Sequence, residues 1–324
     1  MKRLLLLMPE QFAREAYPIL SELLPDIHIV SLTPGQRYKA ISTALEQADF
    51  LIWTGVEISE QLIAQGPQLK LIQKWGAGVD GIDVSAAGRR GVWVANVQGG
   101  NAIAVAEHFF ALLLALYKRL CLADSAMRAG QWVQAQLMEQ GIWELNGKSL
   151  GIVGLGQIGC AIATRAIPFG MQVFYYKRKP LDSEKEREMQ VSFLAVTDLV
   201  RQVDIVGLAV PLTNETKGMF GMDLLQMMKP SSVLINVSRG AVLKEADLYR
   251  ALTEGNIAGA GLDVFEPEPP SHENSLLQLP NVVSSPHIAG RTKEAMQFIT
   301  KQCAMNVLLV SRGETPHHVI TTGA

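Results

Sequence analysis

Several absences narrow the classes of protein to which this 324-residue sequence can belong. Its three cysteines, Cys121, Cys160 and Cys303, lie far apart and fit no C-x-x-C or Cys/His ligand pattern. We therefore expect three buried thiols in a reducing compartment, the cytoplasm, and no structural metal. The longest apolar run, Phe109–Tyr117, falls well short of the roughly 18 residues of a membrane span. The net charge is −2 and no long basic block occurs, which argues against nucleic acid and anionic membranes as partners.

The sequence instead offers short apolar runs, typical of buried strands, that alternate with segments of helical period. The predicted strands are Leu4–Met8, Ile27–Ser31, Phe50–Trp53, Leu69–Lys74, Val92–Ala95, Asp204–Ala209, Ser232–Val237, Gly259–Asp263 and Val282–Ser285. The predicted helices are Gln11–Leu24, Tyr38–Gln47, Ser59–Gln65, Met222–Met228 and Lys244–Glu254. This alternation predicts an α/β fold with parallel sheets, and the length fits two domains of roughly 150 residues each. The charged run Asp182–Glu188 predicts a solvated loop or helix face.

A long helix is predicted from about Ala102 to Met127. Its first half is apolar nearly all round, so we expect an interdomain or subunit interface to cover it, and we predict a homodimer. The following segment, 131–147, has little periodicity and predicts a surface connector. Its Trp132 and Trp143 are candidates to reach a neighbouring subunit.

Residues 148–177 are the most informative stretch, because they predict a strand, a glycine turn, a helix and a second strand. The turn, Gly154-Leu155-Gly156-Gln157-Ile158-Gly159, matches the G-x-G-x-x-G pattern. Gly154 permits the tight turn, Gly156 lets the backbone approach a pyrophosphate, and Gly159 lets the helix pack close to the strand. This context predicts a Rossmann unit that binds a dinucleotide.

The end of the second strand bears on which dinucleotide is bound. An NAD-binding protein usually has an acidic residue there, roughly 20 residues on, to hold the ribose 2′-hydroxyl. This sequence has Lys177, Arg178 and Lys179 instead. Cations within about 4 Å attract a 2′-phosphate by roughly 1–4 kcal/mol, or about ten- to a thousandfold in affinity. We therefore predict that NADP (NADPH) is preferred over NAD. The alternative is a solvated basic turn that only happens to follow the strand.

Three later segments end predicted strands of the second lobe, where open α/β sheets bind their ligands. They contribute a cation at Arg239, carboxylates at Glu266 and Glu268, and an imidazole at His287. Reduction of a 2-keto acid needs such a set, because a proton donor must reach the carbonyl oxygen while a cation holds the substrate carboxylate. A neighbouring carboxylate favours the charged imidazole, and the planar arginine fork suits two carboxylate oxygens.

The sequence resembles the D-isomer-specific 2-hydroxyacid dehydrogenases over essentially its whole length, and is closest in character to their NADP-dependent glyoxylate and hydroxypyruvate reductases. The resemblance is carried by residues 69–83, with Gly76-Ala77-Gly78-Val79-Asp80, by Val105-Ala106-Glu107-His108, by the glycine loop, by Val210-Pro211-Leu212-Thr213-Asn214-Glu215-Thr216, and by the segments 236–240, 263–269 and 286–290. It implies two doubly wound domains. A Rossmann cofactor domain, residues 99–290, would be inserted into a flavodoxin-like substrate domain, residues 1–98 with 291–324, and the active site would lie in the cleft.

The resemblance also implies roles for particular residues. His287 would be the proton donor and acceptor, Glu268 its partner and Arg239 the substrate anchor, with Glu266 as the alternative partner. The loop Ala77-Gly78-Val79 would bind the substrate carboxylate through its backbone N–H groups, together with Arg239 and His287. The expected cofactor contacts are Gly154, Gly156, Gln157, Ile158, Gly159, Lys177, Arg178, Lys179, Val210, Pro211, Thr216, Val237, Ser238, Arg239, Asp263, His287, Ala289 and Gly290.

Two tryptophans bear on substrate size. Trp53 ends a predicted strand and Trp75 precedes the glycine-rich loop, and if both line the pocket a small keto acid such as glyoxylate or hydroxypyruvate fits best. Core packing is the alternative.

The remaining histidines, including His108, are given no catalytic role. We therefore predict NADPH-dependent reduction of a small 2-keto acid to the D-2-hydroxy acid. The alternatives are an NAD-linked dehydrogenase of a larger or phosphorylated acid such as 3-phosphoglycerate, and a non-catalytic, dinucleotide-sensing protein like a corepressor.

Overall fold

The computed structural model describes residues 1–36 and 38–321. The chain divides into two compact units: unit 1 comprises residues 1–101 and 291–324, and unit 2 comprises residues 102–290. Each unit has its own sheet and its own hydrophobic core. No helix within the described residues is both long and apolar enough to cross a membrane.

Unit 1 begins with β1 (Lys2–Leu7), α1 (Glu10–Leu23), β2 (Ile27–Leu32), α2 (Tyr38–Leu45), β3 (Phe50–Trp53), α3 (Glu60–Ala64), β4 (Leu71–Lys74), α4 (Val84–Arg89) and β5 (Trp93–Ala95). Unit 2 contains α5 (Ala102–Tyr117), α6 (Leu120–Arg128), α7 (Gln134–Gln140), β6 (Ser149–Val153), α8 (Gln157–Ala166), β7 (Gln172–Tyr176), α9 (Ser183–Met189), β8 (Val191–Phe193), α10 (Val196–Gln202), β9 (Ile205–Leu208), α11 (Met222–Leu225), β10 (Val233–Asn236), α12 (Glu245–Thr253), β11 (Gly259–Leu262) and β12 (Val282–Ser284). Unit 1 ends with α13 (Lys293–Ser311) and β13 (Val319–Thr321).

The sheet of unit 1 has six strands in the order β13-β5-β4-β3-β1-β2. Strands β1 to β5 pair in parallel, and β13 joins β5 in antiparallel orientation. The parallel part follows the flavodoxin-like order 2-1-3-4-5. Residues 4–7 of β1 are all buried, as expected of a strand with helices on both faces. Side chains of α2, α3 and α4 pack on one set of strand residues, while α1 packs against α13.

The sheet of unit 2 has seven strands in the order β12-β11-β10-β9-β6-β7-β8, and its neighbouring strands are parallel. Six of them follow the Rossmann order 3-2-1-4-5-6, and β12 extends the edge. Successive residues of a strand point to opposite faces. Thus Val233 and Ile235 of β10 join a core cluster with α5 and α8, whereas Leu234 joins one with α10 and α12. The predicted α/β class of two parallel-sheet units is confirmed.

The prediction of one long helix over Ala102–Met127 is wrong in one respect, because this segment forms two helices. α5 ends at Tyr117, and α6 begins after Arg119, which has the left-handed conformation with φ of +50°. The Arg119 guanidinium donates to the carbonyl oxygens of Gln140 and Gly141, each at 3.1 Å, and so ties the break to the connector. Neither proline nor glycine marks this break in the sequence, so the apolar pattern continues through it.

Helix α5 is covered inside unit 2, by α8 and by strands β10 to β12. Two glycines allow the close approach. A Cβ at Gly207 would lie 2.7 Å from the Phe109 ring, and one at Gly261 would lie 3.1 Å from the Leu112 side chain. The expectation that an interdomain or subunit interface covers this helix is therefore wrong for the buried side chains between Val105 and Tyr117, which join the core cluster of unit 2.

The three cysteines are free thiols that differ in exposure. Cys303 is buried, but Cys160 is half-buried and Cys121 is exposed, so the prediction of three buried thiols is correct for Cys303 alone. Burial raises the pKa of Cys160, and the charge of Lys177 opposes that rise. The Cys160 thiol is therefore no activated nucleophile, despite its place near the start of α8.

Candidate active site and cofactor loop

The glycine loop joins β6 to α8 at the carboxyl edge of the unit 2 sheet. Gly154 has φ of +102°, and a Cβ there would lie 2.6 Å from the carbonyl oxygen of Ala209. A Cβ at Gly159 would lie 2.1 Å from the carbonyl oxygen of Gly154, whereas one at Gly156 would meet no atom within 4 Å. No side chain of the described residues caps the start of α8, so its first N–H groups can bind an anion. The loop therefore fits a dinucleotide pyrophosphate.

The basic turn follows β7 and leads to α9. Lys177 is half-buried, while Arg178 and Lys179 are exposed. The Lys177 charge acts on Cys160, in the helix that the glycine loop begins. The pKa of Glu215 is lowered, chiefly by its hydrogen bond with Thr213 and further by the charge of Arg178. The charge of Lys177 therefore acts on a residue of α8, and the charge of Arg178 acts on a residue of the loop that follows β9.

His287 and Glu268, two members of the predicted catalytic set, are in direct polar contact. The Nδ1 atom of His287 lies 2.6 Å from Oε2 of Glu268, and Oε1 of Glu268 accepts the N–H of Phe265 at 3.1 Å. Because an ionised carboxylate can only accept, Nδ1 carries a hydrogen and Nε2 is left to exchange a proton. The side chains are 39% and 37% exposed, so both are open to a ligand. Glu266 instead donates its N–H to Glu245, at 2.7 Å.

The electrostatics of this pair include Arg239. Burial acts to raise the pKa of Glu268, but its hydrogen bond to His287, the His287 charge, the Phe265 N–H and the Arg239 charge together hold that pKa below its ordinary value. Glu268 is therefore ionised at neutral pH, as a partner for an imidazolium must be. The structure thus brings Arg239, Glu268 and His287 into one electrostatic cluster.

The loop that carries Arg239 is shaped by Asn236, a buried residue to which the sequence assigned no role. Its Oδ1 accepts the N–H and the hydroxyl of Ser238, at 3.0 and 2.8 Å, and its Nδ2 donates to the Arg239 carbonyl at 3.1 Å. A Cβ at Gly240 would lie 2.1 Å from the backbone of Phe265. Only glycine therefore lets this loop lie against the segment that leads to Glu268.

Asp263, at the end of β11, organises the segment that carries His287. Its buried carboxylate accepts the Ser285 hydroxyl at 2.6 Å and the N–H groups of Ile288 and Ala289 at 2.9 Å each. Its carbonyl oxygen accepts the His287 N–H at 2.8 Å. His287 itself has φ of +52°, a conformation that non-glycine residues adopt only where their surroundings hold them. These bonds supply that restraint.

His108 belongs to the same network, although the sequence gave no reason to place it there. Its Nε2 lies 2.7 Å from the Ser285 hydroxyl and 3.4 Å from Oδ1 of Asp263. Burial acts to raise the pKa of Asp263, but the hydrogen bonds from His108, Ser285, Ala289 and Ile288 hold it below its ordinary value. The signal in the sequence is weak: His108 is a polar ring on a largely apolar helix, and it lies 177 residues from Ser285.

Loss of the Asp263 carboxylate is expected to destabilise the folded protein. We expect Asp263→Ala to lower the free energy of unfolding by about 2–5 kcal/mol, because buried N–H groups lose their acceptor. A depressed folded-state pKa means that this stabilisation is present above the ordinary carboxyl pKa and lost as pH falls through the folded-state value. Calorimetry should therefore show a difference in Tm between the wild type and Asp263→Ala that is constant near neutral pH and shrinks below about pH 4. The exposed Asp198→Ala is the control, and an equal Tm loss there would contradict the assignment.

The other predicted cofactor residues lie in loops at the same edge. The Thr216 hydroxyl donates to the carbonyl oxygen of Pro211 at 2.6 Å and accepts the N–H of Thr213 at 2.8 Å, so it closes its own loop. Val210 leads into this loop from β9. Val237 and Ala289 are buried.

In unit 1, the loop Ala77-Gly78-Val79 follows β4. Asn96 donates from Nδ2 to the Ala77 carbonyl at 2.6 Å, and none of the three loop N–H groups donates to an acceptor in the part of the chain that the structure describes. Trp53 and Trp75 are buried, and Trp75 donates from Nε1 to the Thr300 hydroxyl at 3.0 Å. Of the two alternatives for these indoles, core packing is therefore the one observed, because both side chains are buried within unit 1.

Comparisons with known proteins show the family to which the chain belongs. The family model "D-isomer specific 2-hydroxyacid dehydrogenase, NAD binding domain" matches residues 110–289, more than half of the chain. Glyoxylate reductase from Thermococcus litoralis is 42% identical over 271 residues, covering 82% of this chain and 80% of that protein. Glyoxylate reductase from Aeropyrum pernix is 34% identical over 316 residues, covering 95% and 94%. The crystal structure of a glyoxylate reductase from Paecilomyes thermophila has a TM-score of 0.85 at 29% identity and covers 98% of each chain. The chain belongs to the D-isomer-specific 2-hydroxyacid dehydrogenases, a family of NAD(P)-dependent oxidoreductases.

Proposed function

We propose that this protein reduces a small 2-keto acid, such as glyoxylate or hydroxypyruvate, to the 2-hydroxy acid with NADPH. Where the product is chiral, as from hydroxypyruvate, we propose that it is the D-isomer. The observation that carries the proposal is the 2.6 Å contact between His287 and Glu268, beside the charge of Arg239 and at the edge of the sheet that bears the glycine loop. The relatives named glyoxylate reductase support the choice of small keto acids. The buried tryptophans do not contribute to that choice.

The bound nicotinamide would supply the hydride to the carbonyl carbon of the substrate. His287 would donate a proton from Nε2 to the carbonyl oxygen, and Glu268 would stabilise the imidazolium and fix its ring. Arg239 would hold the substrate carboxylate through its guanidinium. The N–H groups of the loop Ala77-Gly78-Val79 are our candidates for a second contact with that carboxylate. In the reverse reaction His287 would accept the proton.

We propose NADPH as the preferred cofactor because Lys177, Arg178 and Lys179 stand where an NAD-binding protein has an acid. The proposed pyrophosphate contacts are the N–H groups of residues 156–159, at the uncapped start of α8. The residues Val210, Pro211, Thr216, Val237, Ser238, Asp263, Ala289 and Gly290 remain our candidates for the rest of the cofactor. We take residues 99–290 as the cofactor domain and residues 1–98 with 291–324 as the substrate domain.

The test is a side-by-side measurement of NADPH and NADH oxidation with glyoxylate, hydroxypyruvate, pyruvate, phenylpyruvate and 3-phosphohydroxypyruvate. We expect the highest kcat/KM with NADPH and the first two acids. Fast turnover of the phosphorylated acid with NADH would favour the NAD-linked alternative. NADPH binding without turnover of any acid would favour a dinucleotide-sensing protein.

We also propose a cytoplasmic homodimer. The free cysteines fit a reducing compartment. The connector residues that we expected to reach a second subunit are exposed: Trp132 is 76% exposed, and no residue of α7 is buried. Exposed apolar residues on α6 and α7, including Met127 and Met138, enlarge this surface. Sedimentation velocity is expected to give twice the mass of 35.4 kDa, and a monomer at micromolar concentration would contradict the dimer.

A further inference from the structure

A partly buried hydrogen-bond network lies next to the basic turn, residues 177–180. Tyr175 of β7 is fully buried, and its hydroxyl accepts the N–H of Leu181 at 2.8 Å. The same hydroxyl lies 2.8 Å from Oε1 of Glu186 in α9. That oxygen also accepts the N–H of Phe193 in β8, at 3.2 Å. One phenol thus connects the end of the turn to the helix and the strand that follow it.

The direction of each hydrogen bond follows from the chemistry of the groups. Leu181 donates its only amide hydrogen to the Tyr175 oxygen, so the phenol proton must go to Glu186, whose carboxylate can only accept. Burial raises the pKa of Tyr175, which keeps this proton on the hydroxyl. Removal of the hydroxyl alone would leave the Leu181 N–H without its acceptor, and Oε1 of Glu186 would keep only the Phe193 N–H.

Two further contacts hold the turn at its ends. The Gly154 N–H donates to the Tyr176 carbonyl at 2.9 Å, which joins the glycine loop to the last residue of β7. Asp182 caps α9 by accepting the Lys185 N–H at 2.9 Å. The residues between Tyr176 and Asp182 therefore span two fixed points, and the bond from Leu181 to the phenol is a third restraint between them.

We propose that Tyr175 and Glu186 are positioning residues for cofactor specificity, which hold the turn so that its cations are in place before a 2′-phosphate arrives. This inference rests on the proposed preference for NADPH. Its physical basis is preorganisation: a turn that must be ordered on binding loses conformational entropy, and affinity falls accordingly. Neither residue is required to touch the phosphate. Both act through Lys177, Arg178 and Lys179.

The test compares two ligands that differ only in the 2′-phosphate, adenosine 2′,5′-bisphosphate and adenosine 5′-monophosphate, by isothermal titration calorimetry. In Tyr175→Phe we expect the affinity for the bisphosphate to fall about 3–20-fold and that for the monophosphate to change less than about twofold. Tyr176→Phe is the matched control, because it is the next residue of β7 and its hydroxyl has no hydrogen-bond partner among residues 1–36 and 38–321. It should change neither affinity.

Hydrogen exchange supplies a readout independent of any ligand. The Leu181 amide should exchange faster in Tyr175→Phe than in the wild type or in Tyr176→Phe. Glu186→Gln keeps an acceptor and should retain most of the bisphosphate affinity, whereas Glu186→Leu should lose it. If Tyr175→Phe fails to fold, the comparison of Glu186→Gln with Glu186→Leu tests the same proposal.

The outcomes separate the two claims. A wild type that binds both ligands equally would overturn the proposed NADPH preference. A wild type that favours the bisphosphate, with Tyr175→Phe and Glu186→Leu indistinguishable from Tyr176→Phe, would overturn the positioning role alone.

Discussion

Substitution of His287 by alanine is expected to lower kcat for keto-acid reduction by about 10²–10⁴-fold, the usual cost of losing a general acid. The physical reason is the geometry of the ring: its Nδ1 is held 2.6 Å from Glu268, which leaves Nε2 as the proton donor. NADPH affinity should change little. Steady-state rates at saturating NADPH, together with a cofactor titration, measure the two effects separately.

His272→Ala is the matched control for this substitution. His272 is an exposed histidine of the same unit, 3.9 Å from Glu273 and outside the network around Asp263. Its loss should leave kcat unchanged. If His287→Ala turned over as fast as this control, His287 would have no place in proton transfer.

Reversal of charge in the basic turn is expected to change which cofactor the protein prefers. In Lys177→Asp with Arg178→Ala, the ratio of kcat/KM for NADPH to that for NADH should fall about 10–1000-fold. The new acid would repel a 2′-phosphate and could hold a ribose 2′-hydroxyl instead. The ratio should also fall less at high salt, because mobile ions screen exposed charges.

The control for the double variant makes the same change in net charge elsewhere. Lys39→Asp with Arg90→Ala alters two exposed cations of unit 1. It should leave the cofactor ratio untouched. A ratio that is equally unchanged in the Lys177 and Arg178 variant would show that the turn is only a solvated surface.

The fold could be predicted from the sequence wherever a pattern of apolar residues is local. Buried strands such as Phe50–Trp53 were recognisable from their apolar runs, and their alternation with helices indicated parallel sheets. The break at Arg119 was not recognisable, because the interaction that holds it reaches a carbonyl 22 residues away. Strand β8 and helix α10 were also missed, since their apolar runs are too short to stand out from the surrounding polar residues.

In the candidate site, only the residues that belong to a sequence motif were predictable. The glycine loop, Arg239, Glu268 and His287 each stand in a recognisable segment. Their supporting residues do not, because the contact between His108 and Ser285 exists only once the chain has folded. Local sequence was also misleading for Trp53, which follows the strand pattern into the core rather than into a pocket.

Hydride transfer to the keto carbon is tested most directly by product analysis after reduction of hydroxypyruvate with NADPH that carries deuterium at the transferable position. We expect D-glycerate with deuterium at C2, because hydride must reach the carbonyl carbon while His287 protonates the oxygen. L-glycerate, or a D-product without deuterium, would contradict it.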